Sequence, residues 1–392
     1  MSSPAAKSPF VAIVCGGTGG HLFPGLAVAE QLKKRGCTVA LLISPKDVDQ
    51  QAVKSAVGME IFTLPAVALQ NRNYFSFGCS FWQSWRAAKK IFQARPPQAV
   101  LAMGGFTSAP PILAGNAFGA KTFLHESNTI PGRANRFLSR FVNEAFVGFP
   151  ESGSRLKARK ITTTGTPVRV QFTQSAIRNS QFAIALGLDP NRATILVMGG
   201  SQGANGLNEM ILSALPLLAQ KNWQWLHLTG TNDFEKVKAA YSARGIKAVV
   251  KPFLAEMDLA LGAATASVSR SGASSLAEIA AMLLPSLLVP YPAAADNHQF
   301  VNASAFEKTG AAKLLEQKNA TPEKVAAILT GLVEDEPARA KMQSALAQWH
   351  TPAAAEQIAG IILDAVAQPA PAQSKIKKCS CGHAHGSARH AH

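Results

Sequence analysis

The sequence is short of cysteine and of long hydrophobic runs, and it lacks the loop with which ATPases and GTPases bind phosphate. Its 5 cysteines among 392 residues favour a reducing compartment over a disulfide framework. No run of about eighteen apolar residues occurs, so we expect no membrane-spanning helix. Residues 1–9 also lack the apolar core of a signal peptide. No glycine-rich turn ends in Lys-Ser or Lys-Thr, which disfavours ATP or GTP hydrolysis.

Acidic residues are scarce in the first part of the chain. Residues 1–165 contain 19 Lys or Arg and 7 Asp or Glu, whereas residues 166–368 contain 16 of each class. Such a local positive surplus predicts an anionic partner: a phosphate-bearing substrate, an acidic membrane surface or a nucleic acid. No nucleic-acid-binding module is recognisable, so we do not expect nucleic acid as the partner.

Short apolar runs alternate with segments of helical periodicity, which predicts an α/β fold. The alternation occurs twice, so we expect two doubly wound, Rossmann-like domains that face each other across a cleft. We assign residues 1–165 to the first domain, 166–345 to the second, and 346–366 to a helix that packs back on the first. Residues 367–392 form a linker and a Cys/His-rich tail, expected to be disordered.

The residue types in this tail can bind a soft or borderline metal ion. Their spacing matches no structural zinc module, however. We predict no catalytic metal and no cofactor for this protein, and metal binding by the tail stays open.

The most informative segment is the glycine-rich turn 16–20, which follows a predicted strand over 10–15 and precedes a predicted helix over 26–35. Because glycine has no Cβ, backbone N–H groups in such a turn can approach an anion at the positive end of the helix. Pro24 is expected in the first helical turn, where no N–H is needed. His21 lies beside the glycines and titrates near neutrality, which makes it a candidate proton acceptor.

Two further diglycine turns, at 104–105 and 199–200, also follow predicted strands. Because ligands bind at the carboxyl ends of parallel strands, all three turns are expected to open into one cleft between the domains. A helix is also predicted to start within residues 270–278. There Ser274 or Ser275 would cap the helix, and Glu278 would lie in its first turn, either as a ligand contact or only as a favourable charge.

Residues 72–90 combine aromatic and basic side chains at unusual density. This composition is typical of an interfacial helix, with rings among lipid headgroups and cations on anionic lipid. The alternative is a helix that packs on the core and leaves one solvated face. The residues that we assign to this membrane patch are Phe75, Phe77, Phe81, Trp82, Trp85, Arg86, Lys89 and Lys90.

Together these motifs resemble the MurG family of bacterial glycosyltransferases, glycosyltransferase family 28, over residues 9–366. Two positions depart from the family pattern: Ser127, where Gln is usual, and Thr166, where Asn is usual. The resemblance rests on the turns with His21 and Phe106, His125-Glu126-Ser127-Asn128, Thr166-Pro167-Val168-Arg169, Ser201-Gln202-Gly203-Ala204, residues 270–278, Pro290-Tyr291-Pro292 and Asp296-Asn297-His298-Gln299.

The resemblance implies a GT-B fold and an inverting, metal-independent hexosyltransferase. The implied reaction transfers N-acetylglucosamine from UDP-N-acetylglucosamine to the C4 hydroxyl of the N-acetylmuramyl unit of undecaprenyl-linked lipid I. The product would be lipid II for peptidoglycan synthesis, and hence for cell-wall biogenesis, cell shape and cell division. The implied location is the cytoplasmic face of the bacterial inner membrane, with peripheral attachment to its anionic surface.

The resemblance also implies the binding residues. Glu278 would accept hydrogen bonds from the ribose of UDP, and Arg169 would meet phosphate charge. Asn128 and Gln299 would contact the sugar, because amides donate and accept at once. The family's uracil contact is a backbone group at the position of Leu254. The other implied substrate contacts are Thr18, Gly19, Gly20, Ser201, Ala273, Ser274, Ser275, Leu276 and Ala277.

Transfer requires a base for the acceptor hydroxyl and stabilisation of the UDP leaving group. His21 is the predicted base; the alternative is that it orients the turn or binds a phosphate. Glu126 is the second candidate base, with a structural role as its alternative. Competing functions are a GT-B glycolipid synthase, a UDP-N-acetylglucosamine 2-epimerase and a non-catalytic nucleotide-sugar sensor. An epimerase needs no membrane patch, and a sensor needs no His21.

Overall fold

The computed structural model describes residues 8–46, 49, 50, 53, 56–66, 74–174, 180–199 and 205–368. The Cys/His-rich tail and Ser201 lie outside these residues. Within them, the chain forms two parallel sheets, each with helices on both faces. The predicted α/β class with two doubly wound domains is confirmed.

The first sheet has seven parallel strands, which are short and mostly buried because helices cover both faces. They are β1 (Phe10–Val14), β2 (Thr38–Ile43), β3 (Glu60–Thr63), β4 (Ala99–Ala102), β5 (Lys121–Glu126), β6 (Glu144–Val147) and β7 (Lys160–Thr163), in the spatial order β3-β2-β1-β4-β5-β6-β7. The helices of this part are α1 (Gly19–Lys34), α2 (Tyr74–Ala94), α3 (Ala109–Ala117), α4 (Arg133–Leu138) and α5 (Pro150–Gly153).

The second sheet has six parallel strands in the order β10-β9-β8-β11-β12-β13. They are β8 (Ala193–Met198), β9 (Trp223–Leu228), β10 (Ala248–Lys251), β11 (Ala266–Ser269), β12 (Ser286–Leu288) and β13 (Lys313–Leu314). The remaining helices are α6 (Val170–Gln174), α7 (Ser180–Ala185), α8 (Asn205–Leu218), α9 (Phe234–Ser242), α10 (Met257–Ala263), α11 (Ala273–Ala281), α12 (His298–Lys308), α13 (Pro322–Glu334), α14 (Glu336–Ala347) and α15 (Ala354–Ala367).

The last helix, α15, packs against α1 rather than against the second sheet. Ile358, Ala359 and Ile362 lie in one buried cluster with Leu26 and Leu32. The chain therefore crosses between the domains twice, once after β7 and once before α15.

The strands β7 and β13 were not predicted from the sequence. Both are edge strands, and β7 exposes three of its four residues. β7 contains one apolar residue, Ile161, and β13 has only two residues, so neither offers an apolar run to detect.

Candidate active site

Helix α1 begins at Gly19, so the prediction that it begins near residue 26 is wrong. Thr18 precedes it in an extended conformation, and Gly17 has a φ of +112°, which favours glycine. Gly19, Gly20 and His21 thus occupy the first helical turn. The first N–H groups of a helix have no acceptor within the helix, so those of Gly19 and Gly20 are available to an anion.

Pro24 lies in the second turn of α1, not in the first as predicted. At this position a proline removes the N–H that would bond to the carbonyl of Gly20. That carbonyl instead accepts a hydrogen bond from Ser274 Oγ, 2.8 Å away on α11 of the second domain. A carbonyl freed within one helix is therefore satisfied from the other domain, and the starts of α1 and α11 meet across the cleft.

His21 is partly buried between this turn and the second diglycine turn. Its Nδ1 lies 3.1 Å from Thr18 Oγ1, and a Cβ built on Gly104 or Gly105 would come within 3.1 Å of the imidazole ring. The pKa of His21 is lowered to about 4, mainly by burial; Asp49 opposes this shift, whereas Lys46 and His298 of the second domain add to it. The imidazole is therefore neutral at pH 7 and retains a lone pair.

Glu126 lies at the carboxyl end of β5 and is almost completely buried. One carboxylate oxygen accepts from the backbone N–H and the side chain of Asn128, at 2.8 and 3.1 Å. The other accepts from Gly132 N and Asn135 Nδ2, at 2.9 and 2.8 Å. Four donors from the following loop and from α4 thus converge on this carboxylate, an arrangement that holds the loop in place.

Asn302, on α12, connects this loop to the second domain, and the sequence analysis missed it. Its side-chain oxygen accepts from Thr129 N and Oγ1, at 3.0 and 2.7 Å. Its side-chain nitrogen donates to Asn128 Oδ1 and to the Ser271 carbonyl, at 3.1 and 3.2 Å. The amide is fully buried with four partners. A polar residue one turn after Gln299, on the buried face of a helix, was the available signal.

Arg169 and Glu278 interact electrostatically beside the start of α11. The Arg169 guanidinium stacks on the rings of Phe23 and Phe172, at 4.5 and 5.1 Å from their centroids, and its buried Nε has no partner among the described residues. Burial raises the pKa of Glu278 to about 7, although the charge of Arg169 lowers it. A carboxyl group in this state gains from hydrogen-bond donors that favour its ionised form.

Two predictions about α11 are wrong. The residue that caps the helix is Gly272, without a side-chain hydrogen bond, whereas Ser274 contacts the other domain. Glu278 is the sixth helical residue and lies beyond the first turn. The helix begins earlier than expected because Gly272 takes up the extended conformation that ends the preceding loop. Of the other α11 residues proposed to contact substrate, Ala273 and Leu276 are buried, and Ser275 and Ala277 are half-buried.

The remaining residues predicted to contact the substrate, Gln299 and Leu254, belong to the second domain. Gln299 is half-buried, and its Oε1 accepts from Tyr291 N at 2.9 Å. Leu254 is buried in the core of the second domain, while the preceding Phe253 is exposed. No group of three His, Cys, Asp or Glu side chains arranged to hold a metal ion occurs within the described ranges.

Comparison with known proteins identifies the family. The glycosyltransferase family 28 N-terminal domain matches residues 11–147, and the C-terminal domain of the same family matches residues 194–358. A curated relative from Xanthomonas axonopodis pv. citri (strain 306) is 36% identical over 365 residues, covering 92% of this chain and 83% of the relative. A relative from Anaeromyxobacter sp. (strain Fw109-5) is 34% identical over 361 residues, covering 90% of this chain and 93% of the relative.

Both relatives are named UDP-N-acetylglucosamine–N-acetylmuramyl-(pentapeptide) pyrophosphoryl-undecaprenol N-acetylglucosamine transferase. The crystal structure of Acinetobacter baumannii MurG superposes with a TM-score of 0.72 at 26% identity, covering 91% of this chain and all of that chain. The UDP-N-acetylglucosamine 2-epimerase of Neisseria meningitidis superposes with a TM-score of 0.67 at 15% identity over 91% of this chain and all of that chain, which shows a shared fold alone.

The chain therefore belongs to glycosyltransferase family 28, and it is a hexosyltransferase with the GT-B architecture. The resemblance to MurG noted from the motifs is confirmed.

The contact between Gly20 and Ser274 predicts a coupling that stability measurements can detect. We expect Ser274→Ala to lower the free energy of unfolding by about 1 kcal/mol, because the Gly20 carbonyl loses its donor. In a Pro24→Ala background, the new backbone N–H replaces that donor, so the same change has almost no effect. Urea denaturation of the four proteins measures the difference. Ser275→Ala is the matched control, and an equal loss from Ser274→Ala in both backgrounds would contradict this account.

Proposed function

We propose that this chain transfers N-acetylglucosamine from UDP-N-acetylglucosamine to the C4 hydroxyl of undecaprenyl-linked lipid I, giving lipid II for peptidoglycan synthesis. The observation that carries the proposal is the meeting of α1 and α11 across the cleft. Each helix start attracts anions, and both substrates contain a pyrophosphate. The names of the relatives support this choice of donor and acceptor.

In this proposal the second domain binds the donor. Glu278 accepts hydrogen bonds from the ribose hydroxyls, and the start of α11 with Arg169 stabilises the negative charge that develops on UDP. Gln299 and Asn128 contact the sugar, and a backbone group near Leu254 contacts uracil. Ser201 is assigned to the donor on the family resemblance alone.

The first domain binds the acceptor, with the N–H groups of Gly19 and Gly20 near its pyrophosphate. His21 accepts the proton of the attacking hydroxyl, since its lowered pKa keeps the imidazole neutral over the whole physiological range. For Glu126 we favour a role in holding the loop, because four donors already occupy its carboxylate.

Helix α2 supplies the surface for membrane attachment in this proposal. Phe75 and Trp82 are 84% and 57% exposed, and Arg86, Lys89 and Lys90 are exposed as well. The Trp82 and Trp85 rings stack at 5.0 Å, and Lys89 Nζ lies 5.2 Å from the Trp85 ring. Phe77, Phe81 and Trp85 are half-buried, so they support the exposed rings. None of the described helices is long and apolar enough to cross a bilayer.

The direct test incubates the protein with UDP-N-acetylglucosamine and a short-chain lipid I analogue in EDTA. We expect UDP release that requires the acceptor, because helix N-termini and Arg169 carry the leaving-group charge. Release without acceptor would indicate hydrolysis or epimerisation instead. A strict requirement for a divalent cation would contradict the proposed stabilisation of UDP.

Glu278 predicts a pH-dependent affinity for the donor. Because the pKa of Glu278 is raised to about 7 and ribose hydroxyls bond to the ionised form, affinity for UDP-N-acetylglucosamine should increase as the pH rises through 7. Glu278→Gln should weaken binding by about 1.5–3 kcal/mol at pH 8 and abolish the dependence. Calorimetry measures both. Asp258→Asn is the control: it removes a charge that raises this pKa, so the midpoint should move to lower pH. A pH-independent wild type would contradict the assignment.

The proposed role of His21 as base predicts that its replacement lowers kcat alone. We expect His21→Ala to lower kcat by roughly 10²–10⁴ and to leave the donor KM nearly unchanged, since a base acts on the transition state. Steady-state kinetics with both substrates varied measures the two effects. Glu126→Gln is the comparison and should lower stability and alter both constants, as expected for a residue that holds a loop. If only KM changed in His21→Ala, it would be a binding residue.

The membrane patch predicts binding to acidic vesicles. Replacing Phe75 and Trp82 with Ser, and Lys89 and Lys90 with Glu, removes apolar insertion and attraction to anionic lipid, worth about 1 kcal/mol per basic residue. Vesicle cosedimentation should show release, while turnover of a soluble short-chain acceptor survives. The charge-matched control is Lys313→Glu with Lys324→Glu on the second domain. If the variant still bound acidic vesicles as the wild type does, the patch would not be the site of membrane attachment.

A further inference from the structure

We propose that Asp49 is a positioning residue that acts on His21 by fixing the peptide of Gly17 beneath the glycine-rich turn. The proposal rests on the role proposed for His21. Asp49 follows β2 and belongs to no motif that the sequence analysis singled out.

Asp49 is completely buried, and its carboxylate accepts a hydrogen bond from the glycine-rich turn. Oδ2 accepts hydrogen bonds from Gly17 N at 2.7 Å and from Ser44 N at 3.2 Å, and also from the Ser44 hydroxyl. Oδ1 has no partner among the described residues. A buried carboxylate with one unpartnered oxygen is costly, and such a group calls for a role beyond packing.

Lys46 holds the other polar group of the same glycine. Its Nζ donates to the Gly17 carbonyl at 3.0 Å and lies 5.3 Å from the Phe106 ring. A Cβ on Gly17 would lie 3.0 Å from that ring, so the turn has no space to shift toward it. The segment after β2 therefore fixes both the N–H and the C=O of Gly17, four residues before His21.

The two residues act on His21 with opposite charge. Asp49 raises the pKa of His21 and Lys46 lowers it, while burial lowers it most. The other titratable groups that face this imidazole are His298, at the start of α12, and His125, on β5. Asp49 thus keeps His21 more basic than burial alone would, and a more basic imidazole accepts the hydroxyl proton more readily.

The test compares Asp49→Asn with Lys46→Met, using NMR titration of His21 and steady-state kinetics. We expect the pKa of His21 to fall by several tenths of a pH unit in Asp49→Asn and to rise in Lys46→Met. If Asp49 only stabilised the fold, its loss would open the turn to solvent and raise the pKa of His21 in Asp49→Asn as well as in Lys46→Met. That result would overturn the proposal.

For Asp49→Asn we also expect kcat to fall about tenfold to a hundredfold, as for a displaced catalytic group, with the donor KM unchanged. In a His21→Ala background the same change should have no further effect on kcat. If His21→Ala alone leaves kcat intact, the proposed base is wrong, yet the titration still tests Asp49. Should Asp49→Asn fail to fold, Asp49→Glu is used instead, which keeps the charge but lengthens the side chain that holds Gly17 N. It should lower kcat with the donor KM unchanged, and a wild-type kcat would overturn the proposal.

Discussion

The start of α1 is the constraint on which the site depends. It must offer free N–H groups to an anion, present His21 to the cleft and contact the second domain, all within one helical turn. Pro24 makes these demands compatible, because it frees the Gly20 carbonyl for Ser274. The position of one domain relative to the other is thereby tied to the backbone that we propose binds the acceptor.

Buried polar side chains hold the segments around this helix start in place. Glu126 accepts hydrogen bonds from the loop that follows β5, and Asn302 on α12 bonds to the same loop. Asp49, in the segment after β2, accepts a hydrogen bond from Gly17 N. Each is buried with several partners, so removing one leaves donors or acceptors unsatisfied at the cleft. The site is therefore held by a connected set of residues, most of which do not face the substrates in our proposal.

The class of fold, the family and the location of the glycine turns were predictable because they depend on local patterns: apolar runs, diglycine turns and spaced motifs. The role of Ser274 was not predictable, because its partner, the Gly20 carbonyl, is far away in sequence. The start of α1 and the cap of α11 were missed because neither helix has a side-chain cap that marks its start. Asp49 could not be predicted either, since a single buried polar residue has no periodic pattern. The edge strand β7 escaped detection because Ile161 is its one apolar residue.

In the proposed mechanism, donor and acceptor react directly between the starts of α1 and α11, with His21 as base and no covalent intermediate. The anomeric configuration of the product tests it most directly. Direct displacement on the α-linked donor inverts the anomeric centre, so NMR of the isolated disaccharide should show a β-1,4 linkage. An α-linked product, or a glycosylated enzyme trapped during turnover, would contradict the account.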